Sequence, residues 1–208
     1  MANLVLIRHG QSEWNAKSLW TGWTDIGLTE RGREQARSAA EKIKDTTFDI
    51  CFTSALKRAK ETWGEISRVI GAKNVKTISD SALNERNYGD LTGKNKWEVE
   101  AQLGEGEFLK IRRSWDYPPP HGESLKDVYE RVVPYYKSQI LPELKMGKNV
   151  IVVAHGNSLR ALVKLLENIP DDDISKLEIK LSEPYVYDLD KIGKVVSKEI
   201  LSIGSEVE

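Results

Sequence analysis

Leu4-Val5-Leu6-Ile7-Arg8-His9-Gly10 and Val150-Ile151-Val152-Val153-Ala154-His155-Gly156 read alike. Each is a short apolar run that meets a histidine and then a glycine. Runs of this length without alternation suit strands buried on both faces, as in a parallel sheet. A third run, Asp49 to Phe52, ends in Thr53-Ser54, and Val75 to Ile78 is a fourth, weaker candidate. Helical patterns follow these runs, so βα units are expected. Pro184 to Leu189 and Val195 to Leu201 read as a hairpin turning through Asp190 to Lys194.

Helical periodicity is plain in three places. Ala36, Ala39, Ala40 and Ile43 share a face after a start near Thr29. Leu125, Val128, Val132, Tyr136 and Ile140 recur at spacings of three and four, with Ser124 as N-cap. Pro134 falls inside that run and predicts a kink. Leu159, Leu162, Val163 and Leu166 mark a short apolar helix after the second histidine. Tyr117 to Gly122 (YPPPHG) reads as a rigid loop, because no composition shift flanks it. Trp14, Trp20 and Trp23 are expected to pack a long loop over the core.

At 208 residues the chain is expected to form one domain, residues 1–208. Its charge sum, 31 − 32 = −1, argues against nucleic-acid and polybasic membrane partners. Cys51 is the sole cysteine, so neither an intrachain disulfide nor a cysteine metal framework is available; a reducing, cytoplasmic setting fits. Four apolar residues before Arg8 are too few for a secretion signal or a membrane span.

In parallel sheets the carboxyl ends of the strands form the ligand crevice. His9 and His155, 146 positions apart, can therefore converge there. A single histidine of this kind is often a capped loop residue; two in the same context are harder to dismiss. Arg8 and Arg58 sit near the same strand ends, Arg58 being placed a few residues into a helix whose N-terminus faces the crevice. Arg112-Arg113 is read either as a surface pair or as part of the cleft, and Arg160 as structural. Arginine forks and helix N-termini both suit phosphate. Neutral imidazole is a nucleophile near pH 7, so phosphoryl transfer to histidine is a candidate chemistry. It needs a general acid. Glu85 is the candidate, although on sequence alone a glutamate beside Arg86 reads more readily as a surface ion pair. Phosphate-binding glycine loops and the serine-hydrolase elbow are absent.

Taken in order, these residues resemble the histidine phosphatase superfamily, in its cofactor-dependent phosphoglycerate mutase branch. The resemblance rests on Leu6 through Asn15, Thr21-Gly22-Trp23, Leu28-Thr29, Thr53-Ser54 through Arg58-Ala59, Leu83 through Leu91, Arg112-Arg113-Ser114 and Ala154 through Arg160. It runs from residue 4 to about residue 189. A three-layer α/β/α sandwich around a mixed, mostly parallel sheet is implied. His9 would carry the phosphoryl group, Glu85 would move the proton, and His155, Arg8, Arg58 and Asn15 would bind the group in transfer. Gln11, Ser12, Thr21, Gly22, Arg86, Tyr88, Lys96, Arg112, Arg113, Gly156 and Asn157 would bind substrate. The implied reaction interconverts 2- and 3-phosphoglycerate without metal, with 2,3-bisphosphoglycerate as primer and intermediate. A phosphomonoesterase of the same superfamily is the alternative. A non-catalytic phosphate-binding module is a third reading, disfavoured because a binder needs only the arginines. Two departures from longer members stand out: Pro118-Pro119-Pro120 joins Glu123-Ser124-Leu125 directly, and the tail ends at Glu208. Both bear on subunit contacts and leave a homo-oligomer open.

Overall fold

The computed structural model describes residues 1–204; the end of the tail, 205–208, lies outside the described residues. Six strands form one sheet: β1 (Ala2–Arg8), β2 (Ile50–Ser54), β3 (Lys76–Asp80), β4 (Val150–Ala154), β5 (Pro184–Leu189) and β6 (Val195–Ile200). Their spatial order is β3-β2-β4-β1-β5-β6. The four strands β3, β2, β4 and β1 run parallel, and β5 and β6 are antiparallel. The expected mixed, mostly parallel sheet is therefore observed, and the hairpin forms the end of it.

The helices divide between the two faces. On one side α2 (Glu30–Lys42) and α3 (Lys57–Val69) bury Ala36, Ala39, Ala40, Ala59, Trp63 and Ile66 against Val5, Ile7, Ile151 and Val153. On the other, α6 (Leu125–Tyr135), α7 (Leu141–Lys145) and α8 (Gly156–Glu167) bury Leu125, Val128, Val132 and Leu162 against Leu4, Leu6, Val150 and Val152. Odd and even strand residues thus serve opposite cores, which is why the runs lack polar alternation.

Ser124 caps α6 as expected, in a reciprocal capping box with Asp127. At Pro134 the helical hydrogen bonding continues to Tyr135, and an irregular, π-helical turn follows at Tyr136–Ile140.

The segment between β3 and α6 holds elements that apolar periodicity did not disclose: α4 (Lys96–Leu103) and α5 (Glu105–Arg113), joined at Gly104 with φ +80°. They bury Val99, Phe108 and Ile111 around Trp20 and Leu91 in a third, small cluster. A short helix, α1 (Glu13–Ala16), starts the loop that carries Trp20. The three tryptophans differ in use. Trp20 is buried in this cluster, whereas Trp23 is half-exposed and donates its Nε1–H to the Glu85 carbonyl at 2.6 Å. No helix among the described residues is long and apolar enough to cross a membrane.

Candidate active site

Strand register brings the two histidines together. Arg8 of β1 pairs with Ala154 of β4, so the residues that follow them leave the sheet at the same level. His9 N–H bonds to the Ala154 carbonyl at 3.0 Å, and the two imidazole centroids lie 4.9 Å apart. Close approach of the Arg-His-Gly turn to α2 demands glycine twice: a Cβ on Gly10 would lie 2.1 Å from the Gly32 carbonyl oxygen, and one on Gly32 would lie 2.1 Å from that of Gln11.

The partners of His9 fix its tautomer. Its Nδ1 is 2.6 Å from the Gly10 carbonyl, which can only accept, so Nδ1 carries the proton. Arg58 Nε is 3.3 Å from Nε2 and can only donate, so Nε2 keeps its lone pair. Burial, then the charges of Arg58 and Arg8, hold the His9 pKa well below the usual histidine value. His155 is lowered likewise, first by burial and then by Arg58 and His9. Its Nε2 meets Ser54 Oγ at 2.7 Å, while its buried Nδ1 has no hydrogen-bond partner among the described residues.

Arg58 is the second residue of α3, closer to the helix start than its spacing from β2 suggested. It is buried, and its two terminal nitrogens donate to the carbonyls of Gly22 and Thr24 at 2.8 and 3.0 Å. Burial lowers its pKa to about 10, so it remains a cation at neutral pH.

Glu85 is buried across the cavity. Its Oε1 accepts three N–H groups: Arg86 N at 2.7 Å, Asn157 Nδ2 at 3.0 Å and Asn157 N at 3.2 Å. Oε2 takes none of these three donors. Arg131, which sequence reasoning missed, clamps the preceding loop by donating to the carbonyls of Ala82, Asn84 and Glu85 while pairing with Glu123. Nothing in its local sequence distinguishes Arg131 from a surface residue of α6.

Two adjoining chambers share Arg8, Trp20, Glu85, Tyr88 and Lys96. The inner one, with about 320 Å³ of empty volume, is also lined by His9, Asn15, Thr21 and Arg58. The outer one, about 510 Å³, is lined by Arg112, Arg113, Gly156, Asn157 and Arg160. Arg160 bridges the wall, donating to Asn157 Oδ1 at 3.1 Å and to the Arg113 carbonyl at 3.2 Å. Four further candidates stand behind the lining. Ser12 caps α1, Gln11 bonds Thr29, Gly22 accepts from Arg58, and buried Arg86 donates to the Ile111 and Arg112 carbonyls. Glu178 and Ile179 line the outer chamber and were not read from the sequence. No three His, Cys, Asp or Glu side chains among the described residues gather as metal ligands.

Residues 4–199 match the histidine phosphatase superfamily (branch 1). The chain is 52% identical over 200 residues to a 2,3-bisphosphoglycerate-dependent phosphoglycerate mutase of Chelativorans sp. (strain BNC1), covering 95% of this chain and 97% of that protein. It is 50% identical to a phosphoglycerate mutase of Schizosaccharomyces pombe, with 95% of each covered. Among solved structures, Bacillus stearothermophilus YhfR superimposes with a TM-score of 0.82 at 25% identity, over 99% of this chain and 98% of that one. A mycobacterial glucosyl-3-phosphoglycerate phosphatase in complex with VO3 gives 0.81 at 27% identity, over 97% and 98%.

Proposed function

Because the chain belongs to branch 1 of the histidine phosphatase superfamily and, within it, to the 2,3-bisphosphoglycerate-dependent phosphoglycerate mutases, we propose that it interconverts 2- and 3-phosphoglycerate through a phosphorylated His9. The observation that carries this reading is the tautomer of His9. Its unprotonated Nε2 accepts from Arg58 Nε, and both residues line the inner chamber, while a second set of cations lines the outer chamber. A site cationic at both ends suits a molecule with two anionic ends, which 2,3-bisphosphoglycerate and both phosphoglycerates are. When bound, the bisphosphate supplies the phosphoryl group that primes the enzyme.

The chain's own residues then divide the work. His9 Nε2 attacks phosphorus, and Nδ1–H on the Gly10 carbonyl holds the ring in register. Arg8, Arg58, Asn15 and His155 offset the charge on the phosphoryl oxygens, a preorganised electrostatic role. An alkoxide is a poor leaving group. Glu85 supplies its proton from Oε2 and takes one back from the hydroxyl that attacks next. Arg112, Arg113, Lys96, Tyr88, Gly156 and Asn157 hold the end of the substrate remote from His9. Arg86, Gln11, Ser12, Thr21 and Gly22 position these groups. The reaction so described uses arginines where other phosphoryl transferases use a metal, and belongs to the cytoplasm.

The phosphatase reading differs only in the acceptor. Conversion of 3-phosphoglycerate and release of inorganic phosphate, measured together with and without added 2,3-bisphosphoglycerate, separate the two. Exchange that depends on the bisphosphate, with little phosphate released, is the expected result; release without exchange would replace the proposal by a phosphomonoesterase. His9→Ala should lose both turnover and an acid-labile, base-stable phosphate label.

A further inference from the structure

Among the described residues two carboxylates line the cavity, Glu85 and Glu178, and the mechanism uses the first. Glu178 lines the outer chamber beside Arg8, Lys96, Arg112, Arg113 and Arg160, and its carboxylate is ion-paired to the Arg113 guanidinium. An acidic side chain in a chamber meant for anions opposes binding unless it moves. The main chain on both sides of the pair is held. The Arg113 carbonyl accepts from Arg160, the Glu178 carbonyl accepts from Tyr185 Oη at 3.0 Å, and the Ile179 carbonyl accepts from Arg8 at 2.9 Å. The Glu178 side chain, in contrast, is 34% exposed, against 22% for that of Arg113. Glu178 can therefore rotate into water without disturbing the wall. Arg113 is held down to about 10 by burial and then by Arg112, which leaves it cationic and next to a like charge.

Resting on the mutase reading above, we infer that Glu178 is a built-in counter-ion: it occupies Arg113 in the empty enzyme and yields it to the anionic end of the substrate remote from His9. Glu178 is then a positioning residue that acts through Arg113, and each binding event exchanges one carboxylate for another anion. The exchange lets the enzyme keep a cluster of arginines charged and paired between turnovers.

The test is a double-mutant cycle of wild type, Glu178→Gln, Arg113→Ala and the double variant. Two quantities are read at low ionic strength: the Kd for 3-phosphoglycerate by calorimetry, and kcat and KM separately. Removing the internal competitor should lower Kd and KM by about 3- to 5-fold in Glu178→Gln, the upper part of the range for a partly exposed charge pair, with kcat moved less. In the Arg113→Ala background the same substitution should change Kd by less than about twofold, because the partner is gone. Glu178→Ala should repeat the direction seen with Gln. An unchanged or larger Kd overturns the inference, and so does an equal drop in both backgrounds, which would be plain charge repulsion. A wild-type enzyme that binds 3-phosphoglycerate but does not isomerise it would overturn the mutase reading while leaving the Kd cycle interpretable.

Discussion

Glu85→Gln isolates the proton. The glutamine amide has the shape of the carboxylate, so its carbonyl oxygen can take over the place of Oε1 and accept from Arg86 N, Asn157 N and Asn157 Nδ2. Its NH2 then stands where Oε2 stood and cannot serve as a general acid. The fold should survive. Turnover of phosphoglycerate should fall by roughly 10²–10⁴-fold, the range for losing a general acid–base group. Glu85→Ala is a poorer probe, because it takes the acceptor from three buried N–H groups, at a cost of about 1–3 kcal/mol for each one left unsatisfied. The assay compares two substrates at matched enzyme concentration: 3-phosphoglycerate, whose alkoxide needs protonating, and p-nitrophenyl phosphate, whose leaving group hardly does. The loss in Glu85→Gln should be at least tenfold smaller on the aryl ester, as roughly 1.4 kcal/mol of relieved demand implies. Equal losses on both substrates would refute the leaving-group role and make Glu85 a positioning residue. Unchanged thermal unfolding of the Gln variant is the accompanying control.

Other outcomes are as definite. With both histidines held well below their ordinary value, the unfolded chain binds protons that the folded chain refuses once pH drops below about 6.5; stability should be level above that pH and fall beneath it by at most about 2.7 kcal/mol per pH unit for two groups. Urea unfolding of a His9→Gln/His155→Gln variant should show a shallower fall between pH 6.5 and 5.5, and an identical slope would contradict the assignment. Arg131→Ala should cost roughly 2–4 kcal/mol and most of the turnover, since it unpairs Glu123 and frees the loop bearing Glu85; Arg131→Lys, with no fork, should rescue little of either, as denaturant midpoints would show. Gly10→Ala should destabilise by at least about 1–3 kcal/mol and abolish labelling of His9, because its Cβ meets a backbone oxygen that cannot give way; a stable, fully labelled variant would show the contact to be soft.

The sequence alone disclosed the sheet, because strands buried on both faces carry their evidence in their own composition: Leu4–Ile7 and Val150–Ala154 needed no partner to be recognised. It singled out His9 and His155 as candidates through a shared strand-end context, and the remaining candidate residues through ordered resemblance. It did not disclose α4 and α5, whose few apolar residues bury against Trp20 in a small satellite cluster instead of along a regular stripe. Only the tertiary structure decided which nitrogen of His9 keeps its lone pair, which oxygen of Glu85 takes the Asn157 and Arg86 donors, and that Glu178 sits on Arg113. Those facts belong to contacts across 49, 72 and 65 positions of chain. Residue identity carries a propensity for a strand or a turn, but a tautomer or an ion pair exists only once folding has set the partner beside it.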